Sequence, residues 1–176
     1  MHTYIALFKG INMAGKRILP MKYLANLFEE MGCDHVRTYI QSGNVVFRRK
    51  RKPTGKFVKD IGARIQQSYG FEPKMILLDA GELWQAIETN PFNATDGKTL
   101  HLFFLGSLPD KPDLAGLMKV KAKSEAFKLI NKVFYLYTPD GVGRSKLAAK
   151  VEKGLGVAVT ARNWNTVTKL AAMAGE

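Results

Sequence analysis

Apolar residues along this chain recur with two periods, and the switches between them lay out its elements. Thr3 to Lys9 is aliphatic and aromatic with no breaker, which predicts a strand. Gly10 to Pro20 follows as a long glycine-containing loop. Met21, Leu24, Leu27, Phe28 and Met31 then fall at helical spacing before Gly32, predicting a helix over residues 21–31. Val36 to Gln41 and Asn44 to Arg48 flank Ser42-Gly43, read as a two-residue hairpin turn with Gly43 supplying a positive φ. Pro53 to Tyr69 places Phe57, Ile61 and Ile65 along one helix face, and Lys74 to Leu78 reads as a strand. The resulting order over the first 79 residues, β-α-β-β-α-β, is that of a ferredoxin-like unit.

The remainder opens with a helix over residues 80–89, a strand over 99–105 and a short helix over 112–118. Residues 125–130 and 133–137 form a second hairpin about Asn131-Lys132, and helices are expected over 145–155 and 161–173, the last with Thr160 as N-cap. Strand, helix, hairpin and helix thus occur twice, without a shared residue pattern and without a low-complexity linker. The expectation is an α+β fold, with a ferredoxin-like subdomain over 1–79 and a second α+β subdomain over 80–176, packed as one body.

Four segments carry a family resemblance. They are Tyr4 to Asn12 with Gly15-Lys16 and Pro20-Met21; Arg37 to Phe47; Pro139 to Leu147; and Thr160 to Val167. In order and spacing they resemble the domain of unknown function 1697 proteins across the whole chain. The resemblance implies an α+β fold with a ferredoxin-like component and brings no established activity or catalytic residue. Lys9 stands where that family usually has Arg, and Ala14 where Gly is frequent. The run Arg48-Arg49-Lys50-Arg51-Lys52 is more basic than the usual hairpin exit.

Charge changes the picture most. The chain carries 27 Lys/Arg against 15 Asp/Glu, a net charge of +12. Residues 1–80 hold 14 basic and 6 acidic side chains, so two-thirds of the excess lies before residue 81. Such an excess favours polyanions, whose counterions are released on binding. No apolar run approaches the roughly 20 residues a membrane helix needs, so no membrane partner is expected. The start, Met1-His2-Thr3, lacks the pattern of a secretory signal, and the one cysteine, Cys33, excludes an internal disulfide. A reducing, cytoplasmic setting is the expectation; the sequence leaves the oligomeric state open.

Candidate chemistry is confined to a few loops. Gly10 to Lys16 has the spacing of a phosphate-binding loop after a strand, but Arg17 occupies the metal-holding hydroxyl's place and Pro20 delays the helix. Asn12, Lys16 and Arg17 remain anion-binding candidates through backbone N–H groups and charge, or parts of a structural connection. Gln41, Ser42 and Asn44 form a polar hairpin tip, and Gly143, Arg144, Ser145 and Lys146 lead into a helix where an anion could sit. Arg162, Asn163 and Asn165 open the predicted last helix, with Arg162, Asn165 and Lys169 on one face and Trp164 a core anchor on another. Arg48, Arg49, Lys50, Arg51 and Lys52 make a single-sign patch suited to phosphate backbone.

An RNA-recognition sheet would need exposed aromatics on its first and third strands, where Tyr4, Phe8 and Phe47 stand without the accompanying signature. His2, His35 and His101 have no metal-ligand spacing, and no cofactor motif is complete. Three readings follow: a binding protein for nucleic acid or another phosphate-bearing ligand; an enzyme or small-ligand binder with a pocket of Asn12, Gln41, Asn44, Arg144, Arg162 and Asn165; and a structural or protein-interaction module.

Overall fold

The first strand, β1 (His2–Phe8), explains its own unbroken apolar run. Tyr4, Ala6 and Phe8 join a core cluster with helix residues, while Ile5 and Leu7 point to the opposite face, and all five are buried. The computed structural model describes residues 1–93 and 95–176. The chain divides into two compact units, Met1–Trp84 with Leu170–Glu176, and Gln85–Lys169.

In the first unit, β1 is followed by α1 (Met21–Glu30), β2 (Asp34–Tyr39), β3 (Asn44–Arg49), α2 (Gly55–Tyr69) and β4 (Met75–Asp79). The sheet order is β2-β3-β1-β4, and every neighbouring pair is antiparallel, with Tyr4 opposite Phe47 on one side and Asp79 on the other. Leu24, Leu27 and Phe28 of α1 and Phe57, Ile61 and Ile65 of α2 close over Tyr4, Phe8 and Phe47. The Phe28 ring lies edge-on to Phe47 at 5.0 Å and to Phe57 at 5.9 Å, a geometry that aligns ring edges with ring faces. α2 begins at the N-cap Thr54 and ends at Gly70 in the left-handed conformation. α3 (Ala80–Glu88) starts with a reciprocal cap: Glu82 N–H donates to Asp79 Oδ1 at 2.8 Å, and Asp79 N–H to Glu82 Oε2 at 2.9 Å. The Arg37 guanidinium on β2 bonds the Met173 carbonyl and the Glu176 carboxylate, tying down the chain's end.

The second unit runs β5 (Leu100–Leu105), α4 (Leu114–Val120), β6 (Ala126–Ile130), β7 (Val133–Tyr137), a 3₁₀ turn over Val142–Arg144, α5 (Lys146–Leu155) and β8 (Val159–Asn163). α6 (Trp164–Gly175) then leads out of it. Its sheet order, β6-β7-β5-β8, repeats the first unit's order strand for strand. Phe103, Phe134 and Leu136 meet Leu117 of α4 and Leu147, Val151 and Leu155 of α5. A Cβ on Gly154 would come within 2.8 Å of Leu117, so glycine lets these two helices approach closely.

Three local expectations change. The first hairpin turns through four residues, 40–43, with Tyr39 opposite Asn44, because Ile40 and Gly43 both take positive φ (49° and 81°). Val159–Asn163 is a strand paired with β5, so Thr160 lies inside β8 and cannot cap a helix. The cap is Asn163, whose Oδ1 accepts the Thr166 N–H at 2.9 Å. Arg162 therefore shares no helix face with Asn165 and Lys169, and Trp164 is half-buried at the first position of α6 instead of a core anchor.

Candidate functional site

Loop chemistry in the first unit gathers at the two opposite ends of its sheet. At the Phe8 end, Gly10, Asn12, Ala14, Gly15 and Arg17 all take positive φ, a winding course that side chains rarely adopt freely. Asn12 holds it: its amide donates to the Leu19 carbonyl at 2.9 Å and the Gln41 carbonyl at 2.8 Å, and its Oδ1 accepts the Leu19 N–H at 2.7 Å. Asn44 is fully buried and donates to the Tyr39 carbonyl at 3.0 Å and to Ser42 Oγ at 2.9 Å. These two side chains thus turn toward backbone and hairpin, while Lys16, Arg17 and Gln41 are exposed and Ser42 is half-buried. The Arg17 guanidinium lies 5.8 Å from the Phe71 ring centre.

The other end carries the basic run. Arg48 and Arg49 close β3, opposite Thr3 and His2 of β1, and both are half-buried. The Arg49 guanidinium sits 4.5 Å from the centre of the Phe57 ring, which fixes the direction in which the chain leaves the sheet. Lys50, Arg51 and Lys52 then stand exposed before Pro53 and the α2 cap. Among the described residues none of Arg48 to Lys52 joins an ion pair; the pairs formed nearby are Lys56–Asp60 and Arg64–Glu30. Lys52 borders a small cavity of about 50 Å³ that also meets Asp79 and Glu82.

In the second unit the candidates meet at one end of the sheet. Leu100 opposite Tyr137 and His101 opposite Asn163 place the β7–α5 connection and the start of α6 beside the start of β5. Ser145 caps α5, its side chain accepting the Ala148 N–H at 3.0 Å. Gly143, Arg144 and Lys146 around it are exposed. Asn165 is exposed and packs so closely on Gly97 that a Cβ there would fall 2.0 Å from its amide oxygen. Arg162 is buried and donates to Thr160 Oγ1 at 2.9 Å and the Ala161 carbonyl at 2.8 Å; burial pulls its pKa down to about 10. Among the described residues His101 Nδ1 has no hydrogen-bond partner although it is buried, and burial lowers the ring's pKa.

The six residues of the pocket reading divide evenly: Asn12, Gln41 and Asn44 belong to the first unit, and Arg144, Arg162 and Asn165 to the second. Tyr4, Phe8 and Phe47 lie in the helix-covered core, so these aromatics present no stacking surface. Cys33 is buried, and burial pushes its thiol up to about 11, which leaves it un-ionised at neutral pH. Among the described residues no group of three His, Cys, Asp or Glu is placed to hold a metal, and no helix is long and apolar enough to cross a membrane. Sequence reasoning stopped at Lys146 and passed over Lys150 and Lys153, although steps of four and then three residues continue the same helix face.

No curated protein matches the chain. Among solved structures, it is similar to a conserved bacterial protein from Streptococcus pneumoniae, at a TM-score of 0.73 and 20% identity over 98% of each chain. That likeness is one of fold. The family model described as a protein of unknown function (DUF1697) matches residues 1–135, and the chain belongs to that family.

Proposed function

We propose that the chain binds nucleic acid through its phosphate backbone, with residues 48–52 as the main contact. The observation that carries this reading is the exit of β3. Three consecutive exposed cations, Lys50, Arg51 and Lys52, are free of ion pairs among the described residues and leave the end of an inner strand whose direction Arg49 and Phe57 hold. Charge that the fold does not neutralise internally is available to an external anion, and its attraction falls as salt rises. Backbone contacts of this kind position a protein without reading sequence, in keeping with a patch that presents no aromatic platform.

Binding of random-sequence DNA and RNA should be measurable at low salt and weaken steeply on salt addition. Replacing Lys50, Arg51 and Lys52 by Gln should lower the slope of log affinity against log salt by about 2 to 3. Undetectable low-salt binding, or an unchanged slope in the triple variant, rules the reading out.

A further inference from the structure

α5 carries a basic feature separate from the 48–52 run. Lys146, Lys150 and Lys153 stand at i, i+4 and i+7, so they leave one face of the helix, and all three are exposed. Leu147, Val151 and Leu155 on the other side are buried in the core. Neighbouring lysines are therefore roughly 5–6 Å apart at their bases, and the row spans about 10.5 Å of helix. Arg144 is exposed in the 3₁₀ turn just before the helix.

Among the described residues none of these four cations joins an ion pair. The acids beside them are engaged with backbone: Asp113 Oδ1 accepts the Gly116 N–H at 2.9 Å, and Glu152 Oε2 accepts the Val159 N–H at 3.0 Å. Lys150 and Lys153 also wall a groove of about 260 Å³ between α4 and α5 that Leu117, Val120 and, with its carboxylate capping α4, Asp113 line. A row of cations suits the regularly spaced phosphates of a single nucleic-acid strand, and the apolar part of the groove at Leu117 and Val120 offers a base or sugar a surface to bury.

The geometry points to a track for one strand of nucleic acid along α5. Arg144, Lys146, Lys150 and Lys153 hold successive phosphates, and the groove beside Leu117 and Val120 receives a base or sugar. The track rests on the nucleic-acid reading above but uses different residues in the other unit, so the two fail separately.

The experiment is a salt titration by fluorescence anisotropy with a labelled oligothymidylate of about 20 nucleotides. It compares the unaltered protein, the variant K146Q/K150Q/K153Q and the variant K50Q/R51Q/K52Q. Thermal melts establish that all three are folded, which surface lysines facing solvent should allow. Losing three single-strand contacts should reduce the salt slope by about 2 and weaken binding by on the order of a hundredfold at about 50 mM salt. An unlabelled duplex should compete less well per phosphate than the single strand. If the α5 variant keeps the unaltered affinity and slope while the 50–52 variant loses binding, the track is overturned and the first reading stands. Equal competition by duplex overturns the single-strand track. No binding by the unaltered protein overturns both.

Discussion

The two units follow one path with different means of holding it. Both run β-α-β-β-α-β and arrange their strands in the same order. The first packs its helices over aromatic rings, Tyr4, Phe8, Phe28, Phe47 and Phe57, beneath a 15-residue α2. The second uses mostly aliphatic residues, with a 7-residue α4 and a 10-residue α5 brought together at Gly154. Their first connections differ more. Residues 9–20 wind through left-handed conformations held by Asn12 and deliver α1 with no side-chain cap. The shorter 106–113 connection ends in Asp113, which caps α4 directly. The same strand order is thus reached with differently packed cores, while each loop solves its own backbone problem.

The hairpin turns should separate the units most. Gly43 has φ +81°, and a Cβ there would lie 2.7 Å from Ile11 Cδ1 and Phe8 Cβ. Gly43→Ala should therefore destabilise the protein by about 3 kcal/mol in urea unfolding. The corresponding turn of the second unit rests on Asn131 at φ 52°, a residue type that tolerates this region. Asn131→Ala should cost no more than about 1 kcal/mol. Equal losses would mean that strain, not the close approach, sets the first turn.

The first connections give the next contrast. Asn12→Ala removes three hydrogen bonds and strands the Leu19 N–H, for a loss of about 2 kcal/mol. Asp113→Ala removes one helix cap, a loss of about 1 kcal/mol. Amide exchange should quicken across residues 10–19 in the first variant and across the start of α4 in the second. A reversal of that pattern would refute the assignment of Asn12 as the loop's anchor.

The smallest difference lies in pH. Burial lowers the pKa of His101 from 6.5, so its contribution is complete above that value and is lost as pH falls. Burial raises the pKa of Cys33, against a partial opposing effect of the Arg49 charge, from 9.0 to about 11. The Cys33 contribution is complete below 9.0 and is lost as pH rises toward about 11. Melting curves of His101→Phe should lose part of the acid-side decline, and those of Cys33→Ala part of the alkaline one. Unchanged pH profiles in both variants would discard these assignments.

Much of the path was legible because it is local. Strand-length apolar runs, the i, i+3, i+4 spacing of Leu24, Leu27 and Phe28 and the i, i+4, i+8 spacing of Phe57, Ile61 and Ile65 need no knowledge of partners. β8 was not legible, since Val159 to Asn163 alternates over only five residues and merges into helical spacing from Trp164 onward. Its strand identity comes from β5, about sixty residues earlier in the chain, whose edge needs a hydrogen-bonding partner. A list of polar residues does not say which way their side chains turn. The structure turned Asn12 and Asn44 inward to backbone carbonyls and left Lys50, Arg51 and Lys52 outside.

By itself, then, the sequence determined the element order as far as α5, the buried faces of α1 and α2 and the sign of the charge, all consequences of neighbours a few residues apart. Only the tertiary structure decided the eighth strand, the four-residue turn at 40–43 and which cations remain without an internal partner. Each of these depends on hydrogen bonds, clashes or distances between segments far apart in the chain, which no local pattern encodes.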